Sequence, residues 1–282
     1  SQSIVATVTA DQFNDLLKFD GLSVKIQDGS SVTLGNKEFL NGAQIVSSGV
    51  TVDAGNALDN AITFSGGNNT YTGGTAKDVV VAGSGNDTIS TGAGADKVTD
   101  TGGTNTISTG AGDDTVNLSS PLAPLTGSID LGADNDAVTL NGNSFSSALS
   151  IIGGDGVDEI VLNGNGPFDL TAISFSEFET LRAKNYDGAL PKVTVTGLQI
   201  ESLTEVDSIA LVLKSGATAD ISSVSFTNGA TVSIVDSDLD YLGSQDLNLR
   251  VDGNSVVITG AGDDEITSGL RSEEHTSELQ SP

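Results

Sequence analysis

One stretch of the chain repeats its polar and aliphatic residues every nine positions. Between residues 60 and 114 every ninth position is Asp or Asn, and the position two residues later is aliphatic or Tyr. The polar positions, called the anchors, are Asn60, Asn69, Asp78, Asp87, Asp96, Asn105 and Asp114, and the apolar ones are Ile62, Tyr71, Val80, Ile89, Val98, Ile107 and Val116. Stacked repeats keep a constant period, whereas hairpin loops have no reason to do so. The pattern therefore predicts a parallel β-solenoid.

Glycine often stands four and two residues before an anchor. The pairs are Gly83 and Gly85, Gly92 and Gly94, and Gly110 and Gly112. Because glycine adopts positive φ without penalty, these stretches can turn tightly. The three residues after each anchor predict a very short strand whose middle side chain faces inward. Nine residues then form half a coil, and eighteen residues form one coil.

Because the turns alternate sides, the anchors fall on two edges of the predicted solenoid. The first edge carries Asn60, Asp78, Asp96 and Asp114, and the second edge carries Asn69, Asp87 and Asn105. Aspartates stacked at a strand spacing of about 4.8 Å repel one another unless a cation lies between them. Oxygen ligands without nitrogen or sulfur favour Ca²⁺. We expect the first edge to bind more strongly, because Asn offers only a neutral oxygen.

The N-terminal segment, residues 1–55, has a different pattern that predicts a cap for the solenoid. TADQFNDLLKFDG at 9–21 predicts one short helix with Phe13, Leu16 and Leu17 on one face. Thr9 and Gln12 have the spacing of a capping box, and Gly21 stands where a C-terminal cap would be. Short strands follow, and a cap would cover the open edge of the solenoid.

Residues 119–258 keep short apolar strands but lose the period of nine. Asp136 and Asp158 each precede an inward aliphatic residue by two positions and lie 22 residues apart, which suggests longer coils. The region is predicted to be a degenerate β-solenoid, with a β-sandwich as the alternative. We therefore expect a nonapeptide region at 56–118 and the start of a further repeat at 259–270, where TGAGDD of 109–114 recurs.

Composition and charge exclude several classes of function. The chain has 38 Asp and Glu against 11 Lys and Arg, a net charge of −27, which disfavours nucleic acid and anionic membrane surfaces as partners. The longest aliphatic run, IALVL at 209–213, is too short to span a membrane. The chain has no Cys, and its single His, His275, lies near the C-terminus. His/Cys zinc sites and Ser–His or Cys–His nucleophile systems are therefore excluded from the repeats.

The repeats resemble a known family motif. AGSGNDTIS (82–90), TGAGADKVT (91–99), TGAGDDTVN (109–117) and GGDGVDEIV (153–161) are similar to the RTX (repeats-in-toxin, haemolysin-type) nonapeptide GGxGxDxUx. The resemblance implies a right-handed parallel β-roll with calcium held between turns by the aspartates and by turn carbonyls. The implied metal ligands are Asp78, Asp87, Asp96, Asp114, Asp158 and Asp264, with Asp136 added by its matching spacing, and the turn glycines include Gly154 and Gly156. Asn60, Asn69 and Asn105 depart from the motif, and the coils at 56–73 are expected to be poor in metal.

The C-terminal segment is predicted to be foreign to the protein. RSEEHTSELQS at 271–281 resembles the translation of a sequencing-library adapter, so residues 271–282 are treated as non-native.

The resemblance to the RTX family implies a non-catalytic structural segment of a secreted bacterial surface-layer or adhesin-like protein, with calcium, cell-surface polysaccharide or other copies of itself as partners. The alternative is the repeat module of a type I-secreted hydrolase or toxin. A weaker hypothesis assigns polysaccharide cleavage to Arg182 and Asp187.

Overall fold

The structure is a computed structural model that divides the chain into two compact units. It describes residues 5–20, 23–34, 38–40, 44–55, 58–119, 125–142, 145–214, 218–235, 238–240, 248–252, 257–258 and 265–268. The first unit comprises Ser1–Thr139 and Ser144–Asp158, and the second comprises Leu140–Asn143 and Glu159–Pro282. Gly21, Asp264 with the second TGAGDD, and the segment 271–282 lie outside the described residues.

The first unit is built from short strands and one helix. Its elements are β1 (Val5–Val8), α1 (Ala10–Asn14), β2 (Lys18–Asp20), β3 (Ser23–Ile26), β4 (Ser31–Thr33), β5 (Glu38–Leu40), β6 (Gln44–Ser48), β7 (Thr51–Asp53), β8 (Asn60–Gly66), β9 (Thr70–Thr72), β10 (Asp78–Gly83), β11 (Thr88–Ala93), β12 (Lys97–Asp100), β13 (Thr104–Ala111), β14 (Thr115–Ser119), β15 (Leu125–Ala133), β16 (Ala137–Asn141) and β17 (Phe145–Asp155). The last two residues of β16 are grouped with the second unit.

Strands of the first unit alternate between two parallel sheets. One sheet runs β1-β3-β6-β8-β10-β12-β14-β16, and the other runs β4-β7-β9-β11-β13-β15-β17. Val80 pairs with Val98 and Ile89 pairs with Ile107, so one coil takes eighteen residues. From β13 onwards the coil lengthens to 22 residues, with Ile107 beside Ile129 and Ile129 beside Ile151. The predicted β-solenoid and its eighteen-residue coil are confirmed.

The core is a pair of apolar ladders between these sheets. Ile62, Val80, Val98 and Val116 stack along one sheet, and Tyr71, Ile89 and Ile107 stack along the other, all at most 1% exposed. Neighbouring residues on each strand face solvent, so burial alternates along β10 and β11 as a half-buried strand requires.

The short helix α1 confirms one part of the prediction and corrects another. Thr9 accepts a hydrogen bond from the backbone N–H of Gln12, and Gln12 accepts one from Thr9, which together form the capping box. Phe13 is buried and stacks on Phe19 with ring centroids 5.0 Å apart. The helix ends at Asn14 with Asp15 as its C-cap, so Leu16 and Leu17 lie beyond it and are 44% and 72% exposed. The prediction that they lie with Phe13 on one face of the helix was wrong.

The second unit has the same kind of architecture with less regular coils. Its elements are β18 (Glu159–Asn163), β19 (Phe168–Asp169), β20 (Ser174–Ser176), β21 (Thr180–Lys184), β22 (Lys192–Val195), α2 (Gly197–Glu201), β23 (Glu205–Asp207), β24 (Ala210–Leu213), β25 (Thr218–Asp220), β26 (Ser225–Thr227), β27 (Thr231–Val235), β28 (Asp238–Asp240), β29 (Asn248–Asp252), β30 (Val257–Ile258) and β31 (Glu265–Ser268).

Parallel pairing in the second unit excludes the β-sandwich alternative for its described strands. The strand orders are β18-β21-β23-β26, β19-β22-β24-β27-β29-β31 and β25-β28-β30, and the pairs are parallel. A sandwich would instead be built from antiparallel pairs. The sequence separation of paired residues is larger for Leu181 and Val206 than for Ile160 and Leu181, because α2 is inserted between the former two. Since the coils differ in length, the sequence of this unit shows no constant period.

Candidate metal centre

The first-edge anchors form a continuous chain of hydrogen bonds in the first unit. The backbone N–H of each anchor donates to Oδ1 of the anchor one coil later. The N···O distances are 3.1 Å for Asn60–Asp78, 2.6 Å for Asp78–Asp96, 2.7 Å for Asp96–Asp114, 2.7 Å for Asp114–Asp136 and 2.8 Å for Asp136–Asp158. We call this row the first-edge ladder. Asp136 and Asp158 therefore belong to it, although their coils are four residues longer.

Four carboxylates of this ladder are buried, and one oxygen of each lacks a hydrogen-bond partner among the described residues. Asp78, Asp96, Asp114 and Asp136 are each at most 2% exposed. In each of these four, Oδ1 accepts the backbone N–H of the preceding coil, whereas Oδ2 has no hydrogen-bond partner among the described residues. A buried ionised oxygen without a partner is strongly unfavourable. The ladder thus presents a row of oxygen atoms suited to a bound cation.

Burial shifts the protonation of these groups toward the neutral acid. Desolvation is the largest cause at every position, and it raises the pKa of Asp114 from 3.8 to about 6 and that of Asp136 from 3.8 to about 7. Neighbouring carboxylates add to both shifts, and the backbone N–H donors oppose them. The pKa values of Asp78 and Asp96 are raised for the same first reason. Without a cation, the ladder therefore resists ionisation near neutral pH.

The Tyr71 side chain borders the first-edge ladder from the core. Its hydroxyl is buried, and the pKa of Tyr71 is raised well above its usual range by burial first and then by the charges of Asp78 and Asp96. The phenol therefore stays neutral beside the acids.

The second edge carries fewer carboxylates. Asn69 donates its backbone N–H to Asp87 Oδ1 at 2.8 Å, and Asp87 donates its own to Asn105 Oδ1 at 2.7 Å. Asp87 is 1% exposed, and its Oδ2 has no hydrogen-bond partner within the described part of the chain. Asp100, which the sequence pattern did not single out, is also buried on this side and accepts a 2.7 Å hydrogen bond from the Asn105 amide.

Turn glycines bring the backbones of successive coils into close contact. Gly83, Gly85, Gly92, Gly94, Gly110, Gly112, Gly154 and Gly156 all have positive φ. A Cβ at Gly110 would lie 1.8 Å from the carbonyl oxygen of Gly92. Only glycine permits this approach, which places a column of turn carbonyls along the same edges as the acids. A cation bound between coils could take these carbonyls as ligands beside the carboxylates.

Replacing a stacked turn glycine is expected to disrupt the solenoid. For Gly110→Ala, positive φ (+104°) and the contact with Gly92 both oppose the added methyl group. Gly142 has a similar φ of +96°, but a methyl group added there would have nothing within 4 Å, so Gly142→Ala tests strain alone. Strain should cost Gly142→Ala about 1–2 kcal/mol of unfolding free energy, and Gly110→Ala should lose at least twice as much. Urea unfolding in calcium measures both. Equal losses would show that close stacking is unimportant.

The donor set fits calcium rather than a metal held by side chains alone. No three Asp, Glu, His or Cys side chains converge on one point among the described residues. A cation bound between coils would therefore have to combine one or two carboxylate oxygens with turn carbonyls. Calcium accepts six to eight such oxygens in flexible geometry. The Oδ2 atoms that have no hydrogen-bond partner among the described residues, together with turn carbonyls, are oxygens of this kind.

Comparison with known families agrees with the geometry. Residues 65–98, 92–120 and 251–270 match a family model that describes four copies of the RTX calcium-binding nonapeptide repeat. In these segments the chain carries RTX repeats. Calcium is the ion that the RTX repeat family binds. No curated protein and no solved structure gave a match to the chain.

The family match and the ladder cover different parts of the chain. Asp78, Asp87, Asp96 and Asp114 lie in matched RTX segments, whereas Asp136 and Asp158 lie outside them but continue the same ladder. The segment 251–270 contains Asp264, whose placement is not described. An RTX β-solenoid is a calcium-binding structural domain, and RTX proteins are generally secreted. The described residues include no helix long and apolar enough to cross a membrane.

The two residues suggested for polysaccharide cleavage are not paired with each other. Arg182 forms a salt bridge with Glu159, with Nε 2.7 Å from Oε2, and Asp187 uses its backbone N–H to donate to Asn165 at 2.7 Å. Arg182 is thus engaged in cross-coil pairing between β18 and β21. This arrangement gives no support to an acid–base pair.

Proposed function

We propose that the first unit is a non-catalytic structural element whose folding is completed by extracellular calcium. The observation that carries the proposal is the row of buried Oδ2 atoms on Asp78, Asp96, Asp114 and Asp136, which have no hydrogen-bond partner among the described residues. Ionised, these oxygens destabilise the metal-free fold. A divalent cation between coils would neutralise them and fill their missing coordination.

The expected mechanism couples calcium binding to folding. Where calcium is scarce, repulsion between stacked carboxylates keeps the coils from closing. Where calcium reaches the ~10⁻⁴–10⁻³ M dissociation constants typical of extracellular modules, ions bridge successive turns and the Val/Ile ladders form. The binding free energy thereby becomes folding free energy.

The setting that suits this mechanism is a secreted bacterial surface protein of the surface-layer or adhesin type. A segment that stiffens only outside the cell can be exported unfolded and then fold at the surface. The net charge of −27 would also keep the metal-free chain expanded. Cell-surface polysaccharide or further copies of the same chain are the partners expected in that setting.

The ladder aspartates can be tested against an exposed acid. Asp96 Oδ1 accepts the N–H of Asp78, and Asp96 faces both neighbouring coils. Asp96→Asn retains the size and an acceptor oxygen but removes the charge. It is therefore expected to raise the calcium concentration at the folding midpoint on the order of tenfold, equivalent to about 1.4 kcal/mol.

Two control variants sharpen this test. Asp130→Asn removes the same charge from an exposed position in β15 and should leave the midpoint unchanged. Asn105→Ala should shift it less than Asp96→Asn, because residue 105 carries no charge. If Asp96→Asn and Asp130→Asn shift the midpoint equally, the effect is one of net charge and the ladder proposal fails.

A further inference from the structure

The second edge shows an acid at a position where the other coils have none. The residues four positions after successive anchors are Phe64, Gly73, Ala82, Thr91, Asp100, Thr109 and Leu118. Asp100 is the single acid in this series, and it is 1% exposed. It precedes Asn105, one of the anchors at which the repeat has an amide in place of a carboxylate. Compared with the other repeats, this turn therefore has an additional carboxylate at position 100 and lacks one at position 105.

Hydrogen bonds connect these two exchanged positions directly. The Asn105 amide accepts the backbone N–H of Asp87 at 2.7 Å through Oδ1 and donates to Asp100 Oδ2 at 2.7 Å through Nδ2. The backbone N–H of Gly102 donates to Asp100 Oδ1 at 3.0 Å. A single amide group therefore joins Asp87 to Asp100. Asp100 also lies in register with Gly83, at the start of the turn that leads to Asp87.

Asp87 supplies an independent indication of a missing ligand. Its carboxylate is 1% exposed, and Oδ2 makes no hydrogen bond to any described residue. The Asn105 amide lies between the Asp87 backbone and the Asp100 carboxylate and is hydrogen-bonded to both, so the two acids border the same turn.

We propose that Asp87 and Asp100 form a cation site on the second edge, in which Asp100 supplies the carboxylate that the repeat lacks at Asn105. The site rests on the proposed binding of calcium by the first unit and extends it to a residue outside the RTX motif. Its donors are two carboxylates, the Asn105 amide oxygen and the carbonyls of the turns at 83–87 and 101–105. This all-oxygen set selects calcium over transition metals.

If Asp100 replaces the carboxylate that is absent at position 105, then moving the acid from position 100 to position 105 should restore the site. Asp100→Asn removes the acid and should reduce by one the number of calcium ions bound by the full chain. The double variant Asp100→Asn with Asn105→Asp restores one carboxylate to the same turn, at the place the repeat normally uses. It should regain the lost ion. Asp130→Asn, an exposed acid in the same unit, should bind as many ions as the unmodified chain.

Equilibrium dialysis against calcium, with thermal unfolding measured alongside, decides between the outcomes. An unmodified chain that binds no calcium would refute the proposed function itself. If the unmodified chain binds calcium and Asp100→Asn binds the same number of ions but melts earlier, Asp100 is only a hydrogen-bond acceptor and the site is refuted. A double variant that fails to regain the ion, or fails to fold in calcium, also contradicts it.

Discussion

Chelation of calcium is expected to open the first unit to amide exchange while the second unit remains protected. The reason is the distribution of buried acid. Among the described residues, the buried carboxylates are Asp78, Asp87, Asp96, Asp100, Asp114, Asp136 and Asp158, and all belong to the first unit. Their mutual repulsion returns when the cation is removed. The coils between residues 78 and 158 should therefore lose their protection first.

The described part of the second unit has no buried carboxylate. Its buried polar side chain is Gln199, whose amide donates to the carbonyls of Leu170 at 2.8 Å and Ile173 at 3.1 Å. Asn163 donates to Asn141, and Asn185 donates to Asn163 at 2.7 Å, so amides of successive coils pair with one another. Neutral amides satisfy one another without a cation. No loss of protection is expected there.

Hydrogen exchange read by mass spectrometry, with and without chelator, measures this contrast in the full chain. At calcium one hundred times above its dissociation constant, each occupied site adds about 2.7 kcal/mol, or roughly a hundredfold in protection. Peptides from 78–118 and 125–139 should lose at least this factor, and peptides from 159–213 should change little. Equal loss in both units would contradict the assignment of calcium dependence to the acid ladder.

Acidification in chelator is expected to stabilise the first unit, the reverse of its effect in calcium. The pKa of Asp114 is raised from 3.8 to about 6 and that of Asp136 to about 7, mainly by burial. A raised acid pKa favours the folded state below pH 4, where both states are protonated. That stability is lost as the pH rises from about 4 to about 7, because the unfolded chain ionises first. For each acid, a tenfold difference in proton affinity between the folded and unfolded states corresponds to about 1.4 kcal/mol of unfolding free energy.

Calcium reverses this trend because it binds the ionised carboxylates. In saturating calcium, protonation competes with the metal, so lowering the pH from 7 to 5 should weaken binding and lower the melting temperature. In chelator the same change should raise the melting temperature or induce folding. Circular dichroism melts at both pH values, with and without calcium, measure the direction in which the melting temperature changes. A change in the same direction in both conditions would show that the buried acids do not control folding.

The sequence was sufficient to predict the regular part of the fold. Every ninth residue from Asn60 to Asp114 is an anchor, and the structure pairs residues eighteen apart as that period requires. The 22-residue spacing of Asp136 and Asp158 likewise matches their hydrogen bond. These positions were predictable because backbone stacking demands the same residue type in every coil.

The remaining features depend on contacts that have no period. Asp100 was missed because its importance comes from the Asn105 amide, which compensates for a departure from the repeat. The helix α2 was also missed, although Thr196 and Gln199 form the same capping box as Thr9 and Gln12. That shared Thr-x-x-Gln signal could have identified it. The exposure of Leu16 followed from the early end of α1, which helical periodicity alone does not fix.

A calcium titration of the full chain, followed by far-ultraviolet circular dichroism, tests the central claim most directly. Starting from chelator, the β-sheet signal is expected to increase cooperatively as Ca²⁺ is added and to remain at its starting level with equal Mg²⁺, which demands stricter octahedral geometry. The increase arises from closure of the acid-bearing coils of the first unit. A spectrum that is identical in chelator and in saturating Ca²⁺ would contradict a fold completed by calcium.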